Sequence, residues 1–289
     1  MKLALGTAQF GLPYGIANTQ GQVPLEEGRA ILRVAQSHGM DMLDTAMAYG
    51  DSEQRLGDIG LARWRVVSKL PAIPDNCPDI PRWVATSVRG SLDRLRVASL
   101  YGLLLHRSEL LLARDGERLY GAMQQLKADG LVHKIGVSVY APTELDALPV
   151  RYRLDLVQAP FNLLDRRLNS TGWLSRLSAQ GVEVHARSVF LQGLLLMQGD
   201  RRPAAFARWE RTWAIYDAWL QQGQLSPLDA CLGFALSTPG VDRVIVGVDC
   251  VSHLREVLQS AGRGPIPEPP VALETEDIDL LHPARWITP

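Results

Sequence analysis

Four side chains that could transfer a proton lie at the ends of short apolar runs in the sequence. They are the carboxylate of Asp44, the phenol of Tyr49, the ammonium of Lys69 and the imidazole of His106. Asp44 and Tyr49 follow one run, Lys69 ends a second, and His106 ends a third. In a parallel barrel, the C-terminal ends of the strands converge on the face that carries the chemistry. We therefore expect these four groups to meet at one site.

The apolar runs belong to a regular alternation of strand-like and helix-like segments. Short apolar runs predict strands, and apolar residues at helical spacing before a glycine predict helices. Strands are predicted at 3–8, 40–44, 64–69, 98–105, 134–139, 156–158, 182–186 and 241–247. Helices are predicted at 24–38, 52–60, 79–95, 118–128, 171–179, 227–235 and 251–259, and Thr143 is expected to cap a further short helix. Eight strand–helix pairs predict an α/β chain folded as a single-domain (β/α)₈ TIM barrel.

Two segments fall outside the alternation. Segment 188–224 is long and includes a helix with Trp209, Trp213 and Trp219, a spacing typical of a packing face. Segment 262–270 is rich in proline and therefore stiff. It leads into a C-terminal tail, 271–289, which we assign to the same domain.

Composition and charge argue against several classes of function. The 289 residues are 46% hydrophobic and 21% charged, which suits a globular protein with a large core. The formal net charge is −1, so no nucleic-acid or membrane partner is expected. Cys77, Cys231 and Cys250 have no metal-ligand spacing, so we expect no metal and reduced thiols in the cytoplasm. No signal peptide or membrane span is predicted.

Short motifs along the chain resemble those of the aldo-keto reductases, in the order of that family. The motifs are Asp44-Thr-Ala-x-x-Tyr49-Gly, Ser68-Lys69, Leu105-His106, Gly136-Val-Ser138, and Gln158-Ala-Pro-Phe-Asn162-Leu-Leu-Asp165-Arg166. The last strand, Val244-Ile-Val-Gly247, and the following His253-Leu-x-Glu256 are similar to the family's adenosine-phosphate segment. The resemblance implies a (β/α)₈ barrel, a nicotinamide cofactor held without a Rossmann domain, and reversible carbonyl reduction.

The resemblance gives each proton-transfer residue a role. Carbonyl reduction needs a hydride on carbon and a proton on oxygen, and a nicotinamide supplies the hydride. On the family pattern, Tyr49 is the general acid. An ammonium beside a phenol favours the phenolate, so Lys69 would tune Tyr49, and Asp44 would keep Lys69 charged. His106 would donate to the substrate oxygen and fix its position.

The resemblance also predicts the contacts with the cofactor. Ser138 and Gln158 match positions that hold the nicotinamide carboxamide. The expected cofactor-binding residues are Gly6, Thr7, Asp44, Ser138, Gln158, Arg187, Ser188, Leu191, Gly193, Gly247, Asp249, His253 and Glu256. NADPH is the expected cofactor because it is the family default, and NADH is the alternative.

Three parts of the sequence depart from the family pattern. Val139 stands where many members have Asn, which leaves one carboxamide contact open. Arg187 occupies the position of a Tyr that stacks on the nicotinamide. After Gly247, many members place Lys or Arg around the 2′-phosphate of NADP. This chain instead has Val248, Asp249, Cys250 and His253 there.

These substitutions bear on the choice of cofactor. An acidic group near a phosphate is repulsive, whereas it can accept a hydrogen bond from a ribose hydroxyl. We therefore expect weaker discrimination between NADPH and NADH than is usual for the family. Arg243 and Arg255 are the remaining cations that could reach the phosphate.

Two arginines bear on the substrate. Arg107 follows His106, and Arg187 ends the seventh strand, so both are expected on the active face. Guanidinium groups suit carboxylate and phosphate oxygens and sugar hydroxyls. We therefore expect a small carbonyl substrate with an anionic or heavily hydroxylated group, contacted by Tyr49, His106, Arg107 and Arg187.

Two other functions are compatible with the same residues. One is a nicotinamide-binding regulatory or redox-sensing barrel with little turnover, which turnover of any aldehyde would distinguish. The other is an aldolase that forms a Schiff base through Lys69, which borohydride trapping with substrate would reveal. The combination of Tyr49, Asp44 and His106 favours reduction over both.

Overall fold

The computed structural model describes residues 1–148 and 150–286, and the predicted (β/α)₈ TIM barrel is confirmed. The strands are β1 (Leu3–Gly6), β2 (Met42–Asp44), β3 (Arg65–Leu70), β4 (Leu100–Leu105), β5 (Val132–Ser138), β6 (Leu156–Pro160), β7 (Glu183–Arg187) and β8 (Arg243–Gly247). All eight are parallel and neighbours in sequence pair in space. Pairing of β8 with β1 closes the barrel.

Helices alternate with the strands along the chain, and further short helices lie in the connecting segments. They are α1 (Ala8–Gly11), α2 (Leu25–Ser37), α3 (Ser52–Ile59), α4 (Ile80–Leu95), α5 (Gly116–Ala128), α6 (Pro142–Ala147), α7 (Arg167–Ser170), α8 (Trp173–Ala179), α9 (Glu210–Gln222), α10 (Pro227–Ser237), α11 (Val251–Ala261) and α12 (Ile278–Leu281). Single 3₁₀ turns connect several of them. None of the helices in the described part of the chain is both long and apolar enough to cross a membrane.

Alternation along each strand decides which side chains face the barrel interior. The buried interior cluster consists of Ala4, Met42, Val67, Leu104, Leu156 and Ile245. Side-chain direction repeats every two residues in a strand. Asp44, Lys69 and Gln158 each lie two residues beyond a member of this cluster, so they face the interior one layer closer to the C-terminal end. A polar layer therefore lies directly above an apolar one.

The structure explains two of the helix starts that differ from the predictions. The prediction that Thr143 caps α6 is wrong, because Ala141 precedes the helix. The Glu144 carboxylate accepts from the backbone N–H groups of Tyr140 (2.7 Å) and Ala141 (2.9 Å), so a side chain inside the helix satisfies them. The helix predicted at 171–179 begins later, because Gly172, at a φ of 77°, separates α7 from α8.

The C-terminal segment packs back on the barrel. Residues 262–270 lack helix and strand, and the Arg166 guanidinium donates to the carbonyl oxygens of Pro269 (3.3 Å) and Pro270 (3.0 Å). Farther along, the Trp286 ring meets Phe206 edge to face, with centroids 4.9 Å apart. The last three residues of the predicted tail, 287–289, lie outside the described residues.

Candidate active site

A cavity of about 510 Å³ opens at the C-terminal ends of the strands. Each strand, or the residue directly after it, contributes at least one residue to the lining. One such residue from each strand, in strand order, is Gly6, Asp44, Lys69, His106, Ser138, Gln158, Arg187 and Gly247. The convergence expected of a parallel barrel thus brings polar groups from the whole circumference to one cavity.

A buried ion pair lies at the base of the cavity. Lys69 Nζ donates to Asp44 Oδ2 at 2.7 Å and to the carbonyl oxygen of Thr45 at 2.9 Å. The two charged side chains are 1% and 7% exposed, so bulk water does not screen the pair. Burial alone would lower the pKa of Lys69, but Asp44, with Tyr49, more than offsets it and raises that pKa. Lys69 is therefore a charged ammonium at neutral pH.

A tight turn after β2 places Tyr49 over this pair. The backbone N–H of Tyr49 donates to the carbonyl oxygen of Ala46 at 3.0 Å, which closes the turn. The segment approaches α1 so closely that a Cβ on Gly11 would lie 1.8 Å from the Tyr49 carbonyl oxygen. Only glycine fits at position 11. The result is a Tyr49 ring whose centroid is 5.1 Å from Lys69 Nζ.

His106 forms the facing wall. Its ring meets the Tyr49 ring edge to face, with centroids 5.9 Å apart and an interplanar angle of 78°. Burial first, and then the positive charges of Lys69 and Arg187, lower the pKa of His106 to about 4. The imidazole is therefore neutral at neutral pH and keeps one ring N–H as a hydrogen-bond donor.

Gln158 presents an unsatisfied acceptor at the cavity. Its Nε2 donates to Asp44 Oδ1 at 2.7 Å, which fixes the orientation of the amide. Its Oε1 is buried and has no hydrogen-bond partner among the described residues. An orphaned buried oxygen is costly unless a ligand satisfies it. A carboxamide N–H of a nicotinamide is a donor that fits this oxygen, and Ser138 lies beside Gln158 in the lining.

The loop after β7 closes the cavity against the loop after β1. Gln192 Nε2 lies 3.2 Å from the Tyr14 hydroxyl. A Cβ on Gly193 would lie 2.5 Å from Ala17 Cβ. The non-glycine residues Ser188, Leu191 and Gln192 have φ values of 56°, 47° and 54°, so backbone strain is concentrated in this loop. Such strain is typical of segments that shape a ligand site.

Arg187 is held at the cavity by neutral groups. Its guanidinium donates to the carbonyl oxygen of Val139 at 2.9 Å and to Ser188 Oγ at 3.1 Å. It also lies 4.4 Å from the centroid of the Tyr140 ring, and that ring stacks on His282 from the tail. No carboxylate of the described residues lies within ion-pair distance of Arg187.

All but two of the site residues expected from the sequence line the cavity. Arg107 does not, because its side chain is 65% exposed and lies 3.9 Å from Glu109, outside the cavity. Leu191 does not either, because its side chain is fully buried in the core. In the described part of the chain, no group of three or more His, Cys, Asp and Glu side chains could hold a metal ion.

Several lining residues were missed by the sequence analysis. The chief ones are Gln9, Tyr14, Asn18, Tyr140 and Leu228. Tyr140 lies two residues beyond Ser138, and Tyr14 and Asn18 lie in the glycine-rich loop after the first strand. In this architecture, the loops at the C-terminal ends of the strands carry site residues. The location of these residues just after predicted strands could therefore have identified them. Leu228 belongs to α10, and no motif marks it.

The fold and the site define a known class. The model of the Aldo/keto reductase family matches residues 2–272, so the chain belongs to this family. Its members are oxidoreductases that generally use nicotinamide cofactors. Among solved structures, the aldo-keto reductase AKR11C1 of Bacillus halodurans, in its holo form, superposes with a TM-score of 0.74. The two are 18% identical, and the match covers 92% of this chain and 88% of that one.

Two curated proteins are similar in sequence. Oxidoreductase sirO of Leptosphaeria maculans is 28% identical over 224 residues, which cover 72% of this chain. This chain spans 65% of the length of sirO. The uncharacterized oxidoreductase YqkF of Bacillus subtilis (strain 168) is 24% identical over 254 residues, with 80% of this chain and 81% of that protein covered.

Proposed function

We propose that the protein reduces an aldehyde or ketone to an alcohol with a nicotinamide dinucleotide, in a reversible reaction. The observation that carries the proposal is the convergence of Asp44, Tyr49, Lys69 and His106 on one cavity. The reaction adds a hydride to the carbonyl carbon and a proton to the carbonyl oxygen. A bound reduced nicotinamide supplies the hydride.

Tyr49 gives the proton to the carbonyl oxygen. The charged ammonium of Lys69 stabilises the phenolate that remains, because an opposite charge nearby favours the ionised form. Asp44 accepts from Lys69 with one oxygen and from Gln158 with the other, so it keeps the ammonium charged and fixed. This fixed arrangement of charges does not have to reorganise during proton transfer.

His106 orients the carbonyl group. A neutral imidazole donates one N–H to the carbonyl oxygen, and its pKa of about 4 keeps it neutral through the physiological range. The proton therefore comes from Tyr49 and not from an imidazolium. The His106 and Tyr49 rings meet edge to face with centroids 5.9 Å apart, so in this proposal both groups reach the same oxygen atom.

Gln158 and Ser138 hold the carboxamide of the cofactor in this proposal. The buried, unpartnered Gln158 Oε1 accepts a carboxamide N–H, and this contact orients the nicotinamide above the barrel. The sequence favours NADPH as the cofactor, with NADH as the alternative. The residues at the far end of the cavity decide between the two.

The substrate in this proposal carries an anionic or heavily hydroxylated group. Arg187 lines the cavity, and its known partners are neutral, so its charge is available to a substrate carboxylate or phosphate. Arg107 is not part of this proposal, because it points into solvent outside the cavity. Tyr49 and His106 contact the carbonyl end.

The arrangement of Lys69 disfavours the aldolase alternative. A Schiff base requires a neutral amine, which burial next to another cation would produce. Here Asp44 raises the pKa of Lys69, so the amine is protonated and a poor nucleophile. A regulatory barrel would bind the same cofactor, and only the absence of turnover would distinguish it.

Deuterium transfer tests the proposed reaction. The wild-type protein is incubated with an aldehyde and a reduced nicotinamide dinucleotide that is dideuterated at the hydride-donating carbon. We expect one deuterium on the carbinol carbon of the alcohol, measured by mass spectrometry. Binding of the cofactor without labelled alcohol from any of a panel of aldehydes would contradict reduction and favour the regulatory alternative.

A further inference from the structure

The cavity has two chemically different ends. Tyr49, Lys69 and His106 lie at the first, which we call the reaction end. The second, the adenosine end, lies at the start of α11 and is lined by Gly247, Asp249, His253, Glu256 and Val257. In the reduction proposed above, the nicotinamide lies beside Tyr49. The adenosine half of the dinucleotide then extends to the other end.

The adenosine end is acidic. Asp249 and Glu256 both line it, and Glu27 accepts from the backbone N–H of Val251 at 2.7 Å where α11 begins. Among the described residues that line the cavity, the lysine and arginine residues are Lys69 and Arg187. Both lie on strands at the reaction end. His253 is the basic group near Asp249, and its side chain is about half exposed.

The sequence left Arg243 and Arg255 as the cations that could reach the 2′-phosphate of NADPH. Neither of them lines the cavity. Arg243 begins β8, at the opposite end of the barrel, where its guanidinium pairs with Asp41 at 3.1 Å and donates to the carbonyl oxygen of Met1. Arg255 is exposed on α11 and does not line the cavity. Neither residue therefore lines the adenosine end of the cavity.

Asp249 retains free capacity to accept hydrogen bonds. Its Oδ1 is 3.4 Å from Asn18 Nδ2, and its Oδ2 is 3.8 Å from His253 Nδ1. Both contacts are long for hydrogen bonds, whereas an ionised carboxylate offers about four lone-pair sites. The side chain is 20% exposed and turned to the cavity. Burial raises the pKa of this carboxyl above its usual value, and the nearby His253 offsets only part of the rise. No arginine or lysine contributes to the shift.

We infer that Asp249 makes the protein select NADH over NADPH, by accepting a hydrogen bond from the 2′-hydroxyl of the adenosine ribose. In NADPH that oxygen carries a phosphate, which has no hydrogen-bond donor for Asp249 and adds negative charge to an acidic, partly desolvated site. Like charges brought together in such a site repel strongly. This inference rests on the proposed function for the position of the adenosine, and it reverses the preference expected from the sequence.

The test is a pair of equilibrium titrations of the full chain, with NADH and with NADPH, followed by the fluorescence of the reduced nicotinamide. We expect NADH to bind at least about tenfold tighter than NADPH, the ratio that one charge-assisted hydrogen bond supplies. Asp249→Asn removes the charge at nearly constant volume, so it should weaken NADH, strengthen NADPH and bring their Kd values together. Asp93→Asn, an exposed acid on α4 outside the cavity, makes the same change in net charge and should leave the ratio unchanged.

The possible outcomes separate the inference from the proposed function. Tighter binding of NADPH by the wild-type protein would overturn the inference and leave carbonyl reduction intact. Equal weakening of both nucleotides by Asp249→Asn would overturn the role of Asp249. Absence of binding for both nucleotides would overturn the inference and the proposed function together. Selective binding of NADH without turnover of aldehydes would support the inference and contradict the function.

Discussion

Among the single residues, Lys69 and Asp44 are almost completely removed from water, with 1% and 7% of their side chains exposed. Burying an ion pair costs several kcal/mol per ion before attraction offsets it, and apolar residues are often as stable in its place. The pair is therefore better explained by chemistry than by stability. It fixes a permanent positive charge 5.1 Å from the centre of the Tyr49 ring.

Arg187 gives a prediction about the charge of the substrate. Replacing Arg187 with Met removes the guanidinium and keeps an apolar side chain of similar length. We expect the loss of transition-state stabilisation, calculated from kcat/KM, to be roughly 1.5–3 kcal/mol larger for an anionic aldehyde than for a neutral aldehyde of matched shape. The exposed Arg107 provides the control. Arg107→Met should change kcat/KM for the anionic and the neutral aldehyde by the same factor. Equal losses for both aldehydes in Arg187→Met would assign Arg187 to the cofactor or the scaffold.

The sequence predicted the inward-facing residues of the site better than the loop residues. Asp44, Lys69 and Gln158 were predictable because each lies in the C-terminal half of a strand, and strand periodicity fixes which side they face. Tyr14 and Tyr140 were missed because the path of a loop is set by its tertiary contacts. Arg107 was misplaced for the same reason, since its position next to His106 said nothing about the direction of its side chain.

At the scale of elements, the contact between the loops after β1 and β7 gives a second prediction. Gly193 has a φ of 92°, and a Cβ there would lie 2.5 Å from Ala17 Cβ. Gly193→Ala should therefore push the loops apart, weaken cofactor binding and lower the free energy of unfolding by about 1–3 kcal/mol. Cofactor titration and chemical denaturation measure these effects.

Gly264 provides a matched control for Gly193. Its φ is 90°, but a Cβ there would meet nothing within 4 Å. Gly264→Ala therefore carries the backbone strain without the collision, and its cofactor Kd should stay at the wild-type value. The same cofactor Kd in the two variants would show that the contact with Ala17 does not shape the site.

The elements themselves were largely predictable, and their ends were not. Hydrophobic periodicity identified each barrel strand and its major helix, because the core must bury one face of each. The start of α6 depends on the Glu144 side chain, and the break before α8 depends on Gly172 in a left-handed conformation. The exact ends of helices depend on local hydrogen bonds and backbone conformations, which hydrophobic periodicity does not predict.

At the scale of the whole molecule, a charged network closes the end of the barrel opposite the cavity. Glu183, the first residue of β7, accepts from the Tyr101 hydroxyl at 2.7 Å, lies 2.9 Å from His185 Nε2 and also pairs with Lys134. Burial alone would raise the pKa of Glu183. The hydrogen bonds from His185, Lys134 and Tyr101 instead hold this pKa well below its usual range.

This network predicts how stability depends on pH. A carboxyl whose pKa is lower in the folded chain stabilises the fold fully above its unfolded pKa of about 4.3, and this contribution is lost progressively as the pH falls from that value towards the lower pKa of the folded chain. Glu183→Gln should lower the free energy of unfolding by about 1–3 kcal/mol at pH 7, because Lys134 and Tyr101 lose a charged hydrogen-bond acceptor. The difference from wild type should shrink in acid. Chemical denaturation from pH 7 to pH 3 measures it.

The exposed acid Glu268 is the control for this experiment. Glu268→Gln makes the same chemical change and should alter the free energy of unfolding by less than about 0.5 kcal/mol. A difference between wild type and Glu183→Gln that stayed constant down to pH 3 would mean that Glu183 is not held ionised by the fold.

The barrel as a whole was predictable because alternating strands and helices admit few arrangements. Motifs that resemble a family then located the reaction end, since they lie on strands that the barrel brings together. The adenosine end was less predictable, because it depends on where charged side chains outside the motifs go. Arg255 illustrates this limit, since only the structure shows that it is exposed on α11 and does not line the cavity.

The rate of the Tyr49→Phe variant tests most directly that Tyr49 supplies the proton in carbonyl reduction. The substitution removes one hydroxyl and preserves the ring that packs against His106. We predict that kcat/KM for an aldehyde falls about 10²–10⁴-fold, roughly 3–5 kcal/mol of transition-state stabilisation, while the cofactor Kd and the free energy of unfolding change little. Near-normal turnover by a folded, cofactor-binding Tyr49→Phe protein would contradict the account.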